Sequence, residues 1–488
     1  MKVSTVQSSQ EASSSSSPRG HQINLSQSPR LHPSDVGKPD VLPPDDVPAS
    51  DPPRLLRSDS DIALAHLKSI GKLPPAEAAP TASVEAVELA FVTGGKGNAH
   101  RSDMQAVREA YRGKFPEARS AWIDIPVKEI VRGPEHQRKY DATKADRKLS
   151  QIEWAEKMKT PEIQEMYRQV RDFILRYKPM AICVNYDTIS KVIFQVYRDL
   201  RVPIKDRARV TTHFSDFADQ MHIDWVDEEF LDEESNDMVL TAGKAVQPGM
   251  SDQQQWVREL GLPVERTRYV FTPVSSEFKG IWKKSRAECR HELRTNYGID
   301  LSEHKVNTLM ISGTGHWPEG FIERATKLAQ SDLMEKTQVT AVAGLKPTTK
   351  TALENLHPDM RVIGYIKDQR KLAHLIRAVD IIATKGGGSS NPRFFMARTA
   401  VLVFELLSGI EFGNGGFMEK NRVARVALTI EAFMKDLRNL VEHPEMRRAI
   451  EEAQSRLHII EDSAEMIAAI AHEQALSQQQ SLRRAITA

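Results

Sequence analysis

Residues 380–414 read DIIATKGGGSSNPRFFMARTAVLVFELLSGIEFGN, and how this stretch is read decides the fold. Ile381, Ile382 and Ala383 form an apolar run short enough for a buried parallel strand. Gly386, Gly387, Gly388, Ser389 and Ser390 then break it. Asn391 suits a helix N-cap and Pro392 the first helical position, so a helix is expected to start there. Residues 400–405 predict a second buried strand and 408–414 a polar loop. A strand, a glycine-rich turn and a helix start together make an anion site. Without Cβ atoms the backbone N–H groups come close, and the helix dipole favours negative charge. The ligand expected there is a diphosphate. Taken alone, such a run reads equally well as a plain flexible loop, so the rest of the chain has to decide.

Outward from this stretch, strands and helices alternate. Upstream, 306–312, 338–343 and 361–363 read as strands, separated by helices over 284–297, 321–330, 349–356 and 369–379. Earlier strands are expected at 87–92, 122–125, 180–184, 208–212, 237–241 and 269–271. Helices between them cover 102–113, much of 150–177 with a break near Pro161, 189–200 and 252–260. Downstream, 429–442, 444–457 and 463–472 read as helices. Such alternation means parallel sheets covered on both faces, here two doubly wound α/β domains in tandem. Ligands of these sheets bind outside the carboxyl ends of the strands. Glycine-rich turns stand at those ends in both halves, at 94–97, 313–315 and 386–388.

Residues 1–84 are rich in Ser, Pro, Gln and Asp, too polar to offset their ordering entropy by burial, and read as a disordered tail. The expected organisation is a tail at 1–84, a first domain at 85–278, a second at 279–460, and a final helix and tail at 461–488. The length of 488 residues agrees with two or three domains. A net charge of +1 argues against a nucleic-acid-binding protein, which needs a basic domain. Cys183 and Cys289 cannot form a disulfide framework, so a reducing compartment is expected. Cys183, inside AICV, reads as a small core residue. No apolar run approaches the roughly 18 residues needed to span a bilayer, and no signal peptide is evident. The protein is expected to be cytoplasmic, at most peripheral to a membrane. The basic span 131–149 reads first as a solvated loop and second as a face for anionic headgroups.

Four motifs in one order resemble a known family. GNAHRSDMQAVREAY (97–111) is similar to its glycine-rich loop followed by His-Arg and a small-residue helix. SDFADQMHIDWVDEEF (215–230) resembles its T-D-[FY]…H…W…D motif, and FTPVSSEF (271–278) its interdomain hinge. DIIATKGGGSS with GIEFGN resembles its donor-site motif. The family is that of the monogalactosyldiacylglycerol synthases and processive diacylglycerol glucosyltransferases, more distantly the peptidoglycan N-acetylglucosaminyltransferase. These are GT-B enzymes of glycosyltransferase family 28, and the resemblance spans 87–421. It implies two Rossmann-like domains facing across a cleft, a nucleotide-sugar donor (by default a UDP-sugar), no cofactor, no essential metal, and a lipid acceptor.

In glycosyl transfer a hydroxyl loses its proton while a nucleoside diphosphate leaves the anomeric carbon, and backbone donors stabilise the leaving group. Gly387, Gly388, Ser389 and Ser390 are the candidates for that task, with Gly313, Thr314 and Gly315 opposite. By resemblance, the backbone of Tyr365 and Ile366 holds the uracil edge, and Glu411 and Asn414 lie near the sugar and phosphates. Lys385 matches a family lysine. His100 is the candidate base, since imidazole titrates near neutral pH, with a helix-capping histidine as the plainer reading. Asp216 is the second catalytic candidate, its plainer reading a turn aspartate. Gly95, Gly97, His222 and Trp225 fall at acceptor-side positions.

Two departures stand out. The family's ribose-binding glutamate falls at Arg393 and the glutamine of its Q-E pair at Ile410. Arginine is donor-only, so it cannot accept from ribose hydroxyls but can pair a phosphate. These changes keep a second reading open, a catalytically silent relative that binds without turnover. The Ser-rich N-terminus keeps a third, a secreted bacterial effector that glycosylates a host target.

Overall fold

The computed structural model describes residues 87–95, 98–126, 156–185, 187–214, 236–241, 266–311, 319–406, 409–457 and 462–487. All of them belong to one compact unit, Thr81–Ala488. The expected tail, the basic span 131–149 and the helix expected at 252–260 lie outside the described residues.

Two six-stranded parallel sheets make up the unit. The first has the order β2-β1-β3-β4-β5-β6. Its strands are β1 (Leu89–Gly95), β2 (Ser120–Pro126), β3 (Ala181–Val184), β4 (Arg209–Phe214), β5 (Asn236–Thr241) and β6 (Thr267–Val270). The second runs β12-β11-β10-β7-β8-β9. It contains β7 (Val306–Ile311), β8 (Thr337–Val342), β9 (Arg361–Ile363), β10 (Ile381–Lys385), β11 (Ala400–Glu405) and β12 (Arg425–Val426). Each order reverses direction once, between β1 and β3 in the first sheet and between β7 and β10 in the second. Crevices open at such switch points because successive connections leave to opposite faces.

In the first lobe, helices α1 (Asn98–Lys114), α2 (Pro161–Tyr177) and α3 (Asp187–Asp199) cover the sheet. The second lobe carries α4 (Arg286–Tyr297), α5 (Glu319–Ala329), α6 (Leu333–Lys336), α7 (Pro347–Glu354), α8 (Gln369–Ala378) and α9 (Asn391–Met396). Then come α10 (Gly409–Lys420), α11 (Ile430–Glu442), α12 (Pro444–Arg456) and α13 (Ser463–Thr487). The caps are local in origin. Thr160 accepts from the Ile163 amide ahead of Pro161, which explains the expected break, and Ser285 with Glu288 forms a capping box on α4.

Strands β3 and β10 are buried at almost every position, as a central parallel strand requires. Cys183 is wholly buried among Leu89, Phe91 and Val107, and burial pushes its thiol up to about 12. α2 and α3 pack on one face of the first sheet. The other face is shared by α1 and, unexpectedly, α13, whose Ala464, Ile467, Ala468, Ala471 and Ala475 join Leu89 and Phe91. The chain therefore crosses from second lobe to first at its end. The two crossings are clipped together where Lys279 bonds Asp462 at 3.0 Å and also Glu465.

Two expectations are corrected here. The final helix expected over 463–472 continues to Thr487, because its alanine-rich face is completed by the first sheet. Of the polar loop expected over 408–414, the described residues, 409–414, are the start of α10. Four glycines disfavour a helix there, but Phe417 and Met418 anchor it in the core and Asn414 bonds back to Gly386.

Candidate functional site

Both switch points carry polar groups beneath the cleft. In the first lobe β1 ends on Gly94 and Gly95, the latter paired in register with Pro126. A Cβ on Gly94 would stand 2.7 Å from Ile189 Cδ1 and 2.8 Å from the Ile125 carbonyl, so only glycine lets α3 approach this strand end. α1 begins at Asn98, which puts His100 inside its first turn and not in a loop ahead of it. The turn is anchored from beneath. Asn185, 2% exposed after β3, accepts from Thr93 Oγ1 at 3.1 Å and donates to the His100 carbonyl. His213 on β4 is fully buried beside His100. Burial, with a smaller push from the His100 charge, lowers its pKa to about 3, so it stays neutral. Ser190 and Thr212 hydroxyls bond at 3.0 Å in the same layer.

In the second lobe the 386–390 loop follows β10. The Gly386 amide is used by the Glu405 carbonyl at 2.9 Å, and the Gly387 amide by the Lys385 carbonyl at 3.0 Å. The Ser390 and Asn391 amides both reach the Gly387 carbonyl at 3.3 Å. Of the four expected backbone donors, Gly387 and Ser390 are thus spent within the loop. Gly388 and Ser389 have no backbone acceptor among the described residues. Ser390, not Asn391, is the N-cap of α9. Asn391 turns its Nδ2 back onto the Gly387 carbonyl at 2.7 Å and so straps the loop instead of capping the helix.

Lys385 and Glu411 pair at 2.7 Å, with side chains 23% and 10% exposed. Asn414, wholly buried, donates to the Gly386 carbonyl at 2.9 Å, which binds α10 to the loop. Glu405 closes β11 beside them. Desolvation raises its pKa, opposed by Arg324 and reinforced by Glu411, and its Oε2 has no hydrogen-bond partner among the described residues. Tyr365 follows β9 half-buried, while the Ile366 side chain belongs to the core. Gly97, Asp216, His222, Trp225, Gly313, Thr314 and Gly315 lie outside the described residues.

The two lobes touch where these loops meet. Ser389 Oγ donates to Asp103 Oδ2 at 2.6 Å, across 286 positions of sequence. Arg393 Nη2 donates to Ser102 Oγ at 2.8 Å and to Asp103 Oδ1 at 3.3 Å. Asp103 is wholly buried and Arg393 is 8% exposed. Arg393 was expected to meet a phosphate; its partner here is a carboxylate of the opposite lobe. Asp103, Asn185, His213 and Glu405 are the site residues that motif reading misses.

Solved structures share this architecture. The calicheamicin glycosyltransferase CalG4 superposes with a TM-score of 0.50 at 11% identity, covering 80% of this chain and 97% of its own. The glycotransferase of kitacinnamycin gives 0.51 at 9% identity, with 80% and 100% covered. Medicago truncatula UGT71G1, solved with UDP-glucose, gives 0.50 at 8% identity, with 80% and 98% covered. The fold is GT-B. No family model matches the chain. Among curated proteins, it is 23% identical over 211 residues to a processive diacylglycerol beta-glucosyltransferase of Bacillus pumilus. That match takes in 42% of this chain and 51% of the relative, so the chain spans about half the length of the curated protein it matches. The relative, CalG4 and the kitacinnamycin protein are glycosyltransferases by name. No helix among the described residues is long and apolar enough to cross a membrane. In GT-B terms, the interlobe contact at Asp103 lies where the two switch-point crevices face each other.

Proposed function

We propose that the protein is a glycosyltransferase that moves a sugar from a nucleoside diphosphate donor, by default a UDP-sugar, to the hydroxyl of a lipid-type acceptor. The observation that carries this reading is the 2.6 Å contact from Ser389 to Asp103. It sets the 386–390 loop against the helical turn that bears His100, three residues and so about 4.5 Å of helix rise away. A candidate anion loop and a candidate base therefore face one cleft. The acceptor hydroxyl would attack the anomeric carbon as its proton passes to the His100 imidazole. The bond from that carbon to the diphosphate oxygen breaks, and the diphosphate leaves with the electron pair. The Gly388 and Ser389 amides and the Ser389 hydroxyl would receive the charge that develops on it. Asn185 would fix the His100 turn, and Lys385 with Glu411 would hold the loop at the sugar end. The lipid acceptor is supported by the name of the Bacillus pumilus relative.

The test is turnover of a panel of UDP-sugars with dispersed diacylglycerol, for wild type and His100→Ala. Transfer that falls by about 100-fold or more in the variant is expected of a lost general base. No product and no UDP release from wild type with any donor would leave the silent-relative reading standing.

A further inference from the structure

We infer that Asp103 is a resident competitor for the donor diphosphate, a carboxylate supplied by the first lobe that occupies the anion position formed by Ser389 and Arg393. The inference rests on reading the 386–390 loop as the diphosphate site, and it concerns how that site is regulated.

The contact has the composition of an anion complex. A wholly buried carboxylate accepts from the Ser389 Oγ hydroxyl at 2.6 Å and from the Arg393 guanidinium at 3.3 Å. These are the donors a phosphate oxygen uses. Arginine is nevertheless poorly served by this partner. Its single bond to the carboxylate is long for a charge-assisted pair, which ordinarily closes to about 2.7–2.9 Å. It reaches Asp103 through Nη2 alone, and that nitrogen is shared with Ser102. Its Nε–H is buried and finds no acceptor among the described residues. The planar guanidinium fork is built for two-point binding of carboxylate or phosphate, and here it is held at one point. A diphosphate brings several acceptor oxygens and more negative charge, so it satisfies the same donors better than Asp103 does.

The carboxylate and an incoming phosphate cannot share these donors, because two like charges within a few ångströms repel strongly in a buried site. Donor entry must therefore displace Asp103 from Ser389 and Arg393. Displacement parts the two lobes at α1, on the turn that follows His100. Without donor, the clasp holds the cleft shut and covers the guanidinium. With donor, Arg393 changes partner and α1 is released. Substrate entry and the position of the candidate base are thereby coupled.

The experiment is titration calorimetry with inorganic pyrophosphate and with UDP on wild type and Asp103→Asn. The substitution keeps the shape and one acceptor oxygen for Ser389, and it removes both the charge and the oxygen that accepts from Arg393. Both probes are expected to bind the variant at least ~10-fold more tightly than wild type. Equal or weaker binding in a folded variant overturns the inference. Wild-type turnover of a UDP-sugar separates the two ways of failing. Turnover with no gain in the variant removes the competitor alone, whereas no turnover and no binding by either protein removes the diphosphate reading with it. Should Asp103→Asn not fold, hydrogen exchange on wild type decides. Saturating pyrophosphate is expected to speed exchange in 98–105, and unchanged or slower exchange overturns the inference.

Discussion

Replacing Asn185 by Ala tests whether the candidate base is positioned from below. Asn185 links Thr93, which is wholly buried, to the carbonyl of His100. Alanine deletes both hydrogen bonds and leaves the Thr93 hydroxyl with no acceptor in the core. An orphaned buried polar group costs about 1–3 kcal/mol, and the His100 carbonyl, in a half-exposed turn, recovers part of its loss from water. The expected destabilisation is about 2–3 kcal/mol, or roughly 30- to 150-fold in the folding equilibrium. Hydrogen exchange at the amides of β1 and β3 reads this lobe by itself, which matters because two lobes need not unfold together. Turnover supplies the second readout. With the His100 turn loosened, kcat is expected to fall about 10- to 100-fold without a rise in the donor KM, since the turn supplies the candidate base while its Asp103 only competes with the donor. Asn185→Asp keeps an acceptor for Thr93 but sets a carboxylate oxygen against the His100 carbonyl, so it is expected to be no better than alanine. A loss below about 0.5 kcal/mol with kcat unchanged would refute the anchoring argument.

Two further outcomes follow from burial. His213 has a folded pKa near 3 against 6.5 for an unperturbed imidazole, so between those values the unfolded chain binds a proton that the native chain does not. Its contribution is fully present above pH 6.5 and is lost as pH falls toward 3, with a slope of at most about 1.4 kcal/mol per pH unit. His213→Asn should flatten the dependence of first-lobe stability between pH 7 and 5, and parallel slopes for the two proteins would count against it. Ile467 on α13 is wholly buried against the first sheet, so Ile467→Ala is expected to cost about 2–4 kcal/mol and to expose α13 to limited proteolysis. Unchanged cleavage would mean that the helix is not docked there in solution.

The central strands β3, β10 and β11 were legible because their residues are buried on both faces, so each reads as a largely apolar run that needs no partner to be recognised. β9 and β11 begin and end where the pattern places them. The misreadings share one cause. α10 contains four glycines in twelve residues, and local propensity points away from a helix, but the core contacts of Phe417 and Met418 outweigh it. The extension of α13 beyond His472 enters a polar, glutamine-rich stretch whose buried Ala475 and Gln478 face the first lobe. Gln478 donates to the Lys205 carbonyl at 2.8 Å, 273 positions earlier in the chain. A window of local sequence contains none of these partners.

The same reasoning applies more sharply to the site. Glycines mark the 386–390 loop because backbone approach is a local requirement, so the loop was legible. The destination of Arg393 was not, since its carboxylate stands 290 positions away. The first half of that pair did leave a trace. On α1 the buried stripe runs through Met104, Val107 and Tyr111, and Asp103 lies four residues before Val107, on the same face. A carboxylate on an apolar stripe is seldom buried unless it is paired. Among the charged residues of the family-like loop, Arg393 is the one in a place where the resemblance calls for an acid. An unexplained acid in one lobe and an unexplained base in the other are each a departure when read alone. Read together they form a charge pair that only the facing of the two switch points can assemble, and that pair closes the cleft which the glycine loop opens.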